Sequence, residues 1–134
     1  MSADAYEAVT GAILVRVRPE YLPDQSDPDE PRYTWAYTVD IENHGTETVQ
    51  LVSRRWIITD ALNRVETVEG PGVVGEQPVL RPGECVRYTS GCPLPTSSGE
   101  MRGAYQMVTE GGRAFEAAIP AFSLHLPEAV SRLN

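Results

Sequence analysis

The chain has 134 residues, 41% of them apolar and 22% charged, an ordinary globular balance that supports one hydrophobic core. Its net charge is −8 and all 11 basic residues are arginine. An acidic surface repels a phosphate backbone, which argues against nucleic acid as a partner; without lysine there is no P-loop lysine, Schiff base or kinase-type ATP lysine.

The length predicts a single domain over 1–134, with an ordered core from about residue 12 to 126 and flexible ends. Met1 to Val9 is polar and acidic and carries no apolar signal segment. No apolar stretch approaches the roughly 20 residues of a membrane helix, so no membrane insertion is expected. Cys85 and Cys92 are the only cysteines. On one extended strand their Cα atoms lie roughly 23 Å apart, well beyond disulfide reach. Two reduced thiols and a cytoplasmic location are the expectation.

In chain order, Ile13, Val15 and Val17 alternate with Leu14, Arg16 and Arg18, marking a first strand. The acidic, proline-rich residues 23–31 read as a solvated loop. Tyr33, Trp35, Tyr37, Val39 and Ile41 then alternate with polar neighbours, which predicts a strand with one buried face. After the turn signal Asn43-His44-Gly45, a long strand spans residues 48–59. Val49 and Leu51 sit at odd positions, Trp56 and Ile58 at even ones. A strand changes its buried face only through an extra residue, so a β-bulge is predicted near Ser53-Arg54-Arg55. Shorter strands are expected at 65–69, 79–80, 84–90, 103–110, 113–118 and 121–126, with Gly111-Gly112 as a hairpin turn. No segment has a helical period of helix length. Short strands separated by regular turns indicate an all-β, immunoglobulin/fibronectin type III-like sandwich of about seven to nine antiparallel strands. Trp35, Tyr37, Trp56 and Tyr105 read as its core rather than as stacking platforms.

Residues 70–75, Gly-Pro-Gly-Val-Val-Gly, fit the spacing G-x-G-x-x-G. In a dinucleotide fold that pattern leads into a helix that receives pyrophosphate. Here Pro78 and Pro82 follow closely and oppose a helix. The backbone N–H groups of such a loop can still hold an anion, which makes Gly70, Gly72 and Gly75 candidate ligands. Adjacent Arg54 and Arg55 at a bulge are the candidate cations beside them. The two histidines and two cysteines lack zinc spacing, and the carboxylates of residues 24–30 lack the glycine and terminal glutamate of a calcium loop. No G-x-S-x-G elbow is present. No catalytic residue, metal site or cofactor is therefore assigned.

Several segments together resemble the ApaG family: 32–38 (RYTWAYT), 49–60 (VQL through RRWIITD), 68–78 (VEGPGVVGEQP), 82–84 (PGE), 88–91 (YTSG), 101–107 (MRGAYQM) and 119–122 (IPAF). They run in unbroken order across residues 12–126. The resemblance implies a fibronectin type III-like sandwich and a bacterial protein tied to cobalt and magnesium resistance or efflux. Related domains in eukaryotic F-box and polymerase-interacting proteins imply protein–protein recognition. The family's glycine motif falls on Gly70, Gly72 and Gly75, for which pyrophosphate binding has been suggested. The sequence departs from the family pattern at Arg55 (commonly histidine), Pro71 (commonly acidic) and Cys85 (commonly aromatic). The expected role is a non-enzymatic interaction module acting through a protein partner. The alternative is a small-ligand sensor for pyrophosphate or a dinucleoside polyphosphate at the glycine loop. Exposed edge strands can also pair into a homodimer.

Overall fold

The computed structural model describes residues 5–127. Nine strands make up the fold: β1 (Tyr6–Thr10), β2 (Ile13–Tyr21), β3 (Tyr33–Asn43), β4 (Val49–Asp60), β5 (Val65–Pro71), β6 (Val79–Leu80), β7 (Cys85–Leu94), β8 (Gly99–Thr109) and β9 (Ala114–Leu124). They form two antiparallel sheets, β1-β2-β3-β7 and β5-β4-β8-β9, with β6 pairing β4. The result is the expected β-sandwich. Among the described residues the one helical turn is a 3-10 turn at Pro23–Gln25, so no helix follows the glycine motif. None of them forms a helix long and apolar enough to cross a membrane.

The alternating residues meet between the sheets. Val15, Val17, Val39 and Ile41 face Leu51, Tyr105, Met107, Phe122 and Leu124, all almost fully buried. Each such apolar side chain contributes about 1.5–3 kcal/mol by leaving water. Trp35, Tyr37, Trp56 and Tyr105 belong to this core. Trp35 also ties down the segment just after β9, since its Nε1–H donates to the His125 carbonyl at 2.9 Å.

Three details depart from the periodicity. β1 lies ahead of residue 12, in a segment whose charge hides its alternation; it pairs with β2 across a tight turn at Gly11 (φ +57°), and Tyr6 reaches the Phe122 ring. The β4 bulge sits at Val52, one residue before the expected stretch, where the register against β8 shifts between Leu51 and Ser53. The extra residue turns its carbonyl outward to accept from Gly72 N–H (2.8 Å) and Gln77 Nε2 (2.9 Å). The two short strands expected at 113–118 and 121–126 are one strand, β9. A second bulge at Pro120-Ala121 absorbs the missing proline N–H and lets pairing continue from Ile119 to Phe122.

One side of the sandwich is closed where β1 and β2 pack on β9. On the other side the edge strands β5 and β7 leave a cleft between the sheets. The glycine loop stands at one end of it.

Candidate functional site

Residues 70–76 finish β5 and fold back on themselves. Val73 and Glu76 exchange backbone hydrogen bonds of 2.7 and 2.9 Å, making a two-residue hairpin turn of Val74 (φ +47°) and Gly75 (φ +83°). Two successive positive φ angles are the type I′ pattern, which suits glycine at the second position and strains valine at the first. Gly72 (φ +58°) has a further constraint, since a Cβ there would lie 2.0 Å from the Glu76 carbonyl oxygen. The loop amides at 72, 73 and 76 bond within the protein. Among the described residues only solvent is left for those of Val74 and Gly75 within the turn.

Gly70 has a different task. It lies opposite Arg54 in the β4–β5 register, and the Arg54 guanidinium lies over it, 3.1–3.3 Å from where a Cβ would stand. Arg54 Nη1 donates to the carbonyls of Pro71 (3.0 Å) and Gly72 (2.9 Å). The missing side chain at Gly70 is therefore the seat of the guanidinium.

The structure thus brings Arg54 together with Gly70 and Gly72 and separates it from Arg55. Successive strand residues point to opposite faces. Arg54, Trp56 and Ile58 line the cleft between the sheets, while Arg55 lies 3.5 Å from Glu116 across the outer face, both half-exposed. An ion pair that open to water contributes little. Among the described residues no carboxylate comes within salt-bridge distance of Arg54.

The cleft has a volume of about 290 Å³. Its walls are Arg54, Trp56 and Ile58 of β4, Glu66 and Val68 of β5, Tyr37 of β3 and residues 90–93 of β7. Trp56 is 2% exposed, and among the described residues its buried indole N–H has no hydrogen-bond partner. A buried donor without an acceptor is costly, so this one calls for an occupant or a reason. Behind the cleft the hydroxyls of Tyr88 and Tyr105 bond to each other. Burial raises the pKa of Tyr37, Tyr88 and Tyr105 above the ordinary phenol value, and the charge of Arg54 opposes that rise in each. All three are neutral at physiological pH. They offer no counter-charge to Arg54.

Both cysteines lie on β7 and both are free. Burial, with the nearby Glu66 charge, pushes the Cys92 thiol up to about 11, whereas Cys85 is exposed. Iodoacetamide at pH 8 is expected to alkylate Cys85 alone in the folded protein and both thiols in urea, as read by mass spectrometry. Equal labelling of the two in the native state would contradict this placement. Among the described residues no group of three or more His, Cys, Asp or Glu side chains converges as a metal site.

What the sequence did not show is the cleft itself. Trp56 and Tyr37 read as core, and they are core, but their edges also form a wall that only the pairing of sheet edges creates. Arg54 carried the one usable signal, an arginine in phase with Trp56 and Ile58.

A family model described as the ApaG domain matches residues 23–109. Protein ApaG of Caulobacter vibrioides is 62% identical over 97% of this chain and 93% of its own length. Protein ApaG of Rhodospirillum centenum is 64% identical, covering 96% and 99%. Among solved structures, one from Bordetella pertussis described as an ApaA protein superposes with a TM-score of 0.85 at 53% identity, covering 87% of this chain and 94% of that one. With its sandwich fold and a match of this extent, the chain belongs to the ApaG family.

Proposed function

We propose that this chain is a non-enzymatic binding module that works in cobalt and magnesium homeostasis in the cytoplasm by docking a protein partner. The observation that carries this reading is the projecting hairpin at Val74. A β-branched residue at φ +47° is strained, and here it is also 66% exposed. Folding alone gains nothing from that choice, because asparagine or glycine relieves the strain at the same place. Val52 (38% exposed) and Val79 (53% exposed) lie on segments tied to the hairpin through the Val52 carbonyl and the β4–β6 pairing. Glu76 flanks the tip and is exposed, and Glu69 is exposed farther down β5. The matching surface is an apolar socket with a basic rim, on a folded protein.

Val74→Asn is expected to stabilise the domain by about 1 kcal/mol, because asparagine tolerates positive φ. It is expected also to lose the partner. Thermal melting and a pull-down from cobalt-stressed cells read the two effects. A protein retained by the native chain and lost with Val74→Asn supports the reading; no specific protein, or one retained equally by both, sinks it.

The second reading, a sensor of pyrophosphate or a dinucleoside polyphosphate, draws on Arg54, a cation held beside the glycine loop with no carboxylate partner among the described residues. Amide NMR during a pyrophosphate titration, with and without magnesium, tests it. Saturable shifts confined to residues 70–75 and Arg54 support it, and an unchanged spectrum at millimolar ligand removes it.

A further inference from the structure

The cleft between β5 and β7 has a polarity that a polyphosphate does not match. Arg54 stands opposite Gly70, and Glu66 stands opposite Ile58 on the same inward face. Four residues of strand separate these positions, roughly 13 Å at about 3.3 Å per residue. One end of the cleft is cationic and the other anionic. The apolar wall beside them is Ile58, Val68 and Met101, together with the indole of Trp56. The Arg54 guanidinium commits Nη1 to two carbonyls, and its remaining N–H groups have no protein acceptor among the described residues. A guanidinium has five donors in a planar fork that matches a carboxylate. At this end the protein thus presents unpaired guanidinium donors and asks for an acceptor carrying one negative charge.

We infer that this cleft is a binding site for a small amphipathic monocarboxylate, its carboxylate on Arg54 and its apolar body along Trp56, Val68 and Met101. Glu66 disfavours a second negative charge at the far end and favours an amine there, so the zwitterion binds more tightly than the simple acid. The volume, near the lower limit of small-molecule sites, admits a short chain and not a dinucleotide. The inference shares Arg54 with the sensor reading but assigns another ligand class and another face of that side chain.

The experiment is a titration of the full-length, nitrogen-15-labelled protein with hexanoate, ε-aminocaproate and pyrophosphate, following the two tryptophan indole N–H signals. Trp35 is the internal control, since its N–H is already bonded to the His125 carbonyl. The expected result is a saturable shift of Trp56 alone, whose ring lines the cleft, at lower concentration for ε-aminocaproate than for hexanoate. Arg54→Met is expected to weaken binding at least tenfold, and Glu66→Gln to abolish the preference for the amine. If Arg54→Met does not fold, a tenfold loss in Arg54→Gln, which keeps a hydrogen-bond donor and removes the charge, carries the test. A Trp56 signal unmoved by both carboxylates at tens of millimolar overturns the inference, as does a shift that survives in Arg54→Met. Pyrophosphate moving only the amides of residues 70–75 overturns it while leaving the sensor reading standing. A spectrum that no ligand moves removes both.

Discussion

Replacing Gly103 by alanine is expected to unfold this domain more readily than any other single methyl addition at a glycine. A Cβ at Gly103 would stand 2.0 Å from the Arg55 carbonyl oxygen, 3.0 Å from its carbon and 3.2 Å from Trp56 Cα. All three are backbone atoms, so no side-chain rotation relieves the clash. Gly103 lies on β8, a strand paired on both sides, opposite Trp56 on β4 and Ile119 on β9. To admit the methyl group, β4 and β8 must separate beneath the Trp56 ring that fills the core. The cost is expected to reach about 3 kcal/mol or more, the upper range of overpacking, which lowers Tm by roughly 10 °C. Two comparison variants isolate the cause. Gly72→Ala also meets a carbonyl at 2.0 Å, but at an edge hairpin that has room to shift. Gly75→Ala meets nothing within 4 Å and carries only the strain of φ +83°, about 1 kcal/mol. Thermal melts should therefore rank Gly103→Ala below Gly72→Ala and Gly72→Ala below Gly75→Ala. If Gly103→Ala melts within 3 °C of Gly75→Ala, the close approach of β4 and β8 is not the constraint it is argued to be.

The same glycines show what a sequence discloses and what it withholds. Period-two alternation placed β3 correctly because Trp35, Tyr37, Val39 and Ile41 need one dry face, whatever packs on it. The phase change in β4 revealed a bulge for the same reason. It did not locate Val52, because the position is set by a bond from Gly72, twenty residues away in sequence. Gly70, Gly72 and Gly75 stood out through their spacing, yet they serve three purposes: a seat for a guanidinium, a close backbone approach and a primed turn. Spacing is a one-dimensional signal and cannot separate these. Gly103 carried no signal at all, because its constraint is the distance between two strands. The opposite faces of Arg54 and Arg55 follow from alternation once the bulge is fixed at Val52; with the bulge left anywhere in 53–55, each was equally able to point inward.

Asp40 is a further case that alternation alone misreads, and removing its charge is the second large effect expected. It lies on the outward face of β3, yet its side chain is only 9% exposed because arginines cover it. Arg87 Nε and Nη2 donate to it at 2.6 and 3.1 Å, Arg18 Nη1 at 3.2 Å, and Arg16 Nη1 stands 3.9 Å away. Arg16 and Arg87 are its register partners on β2 and β7, and Arg18 is the next residue of β2 on the same face, so the cluster ties three strands of one sheet together. Asp40→Asn keeps the shape and leaves three guanidinium groups facing a neutral amide. The Arg87 hydrogen bond, aided by its charge, and then Arg18 hold the Asp40 carboxyl below the usual carboxylate range against the opposing effect of burial. A pKa lower in the folded than in the unfolded chain means that the unfolded state binds the proton first as pH falls. The contribution of Asp40 is therefore complete above its unfolded value, about 3.9, and disappears as pH drops through the lower folded value. At pH 7, Asp40→Asn is expected to cost about 2 kcal/mol, less than the roughly 3–5 kcal/mol of breaking a fully buried pair. Arg18 and Arg87 are open enough to rehydrate, and Arg16 keeps Glu7 and Glu42. The carboxyls of Glu42 and Asp60 are lowered too, so both proteins lose stability in acid. Only the difference between them reports Asp40. Urea denaturation at pH 7, 4 and 2.5 should show that difference shrinking toward zero with falling pH. A constant gap would mean that the amide disturbs packing rather than charge, and the arginine cover would then be a consequence of the sheet and not one of the interactions that hold it together.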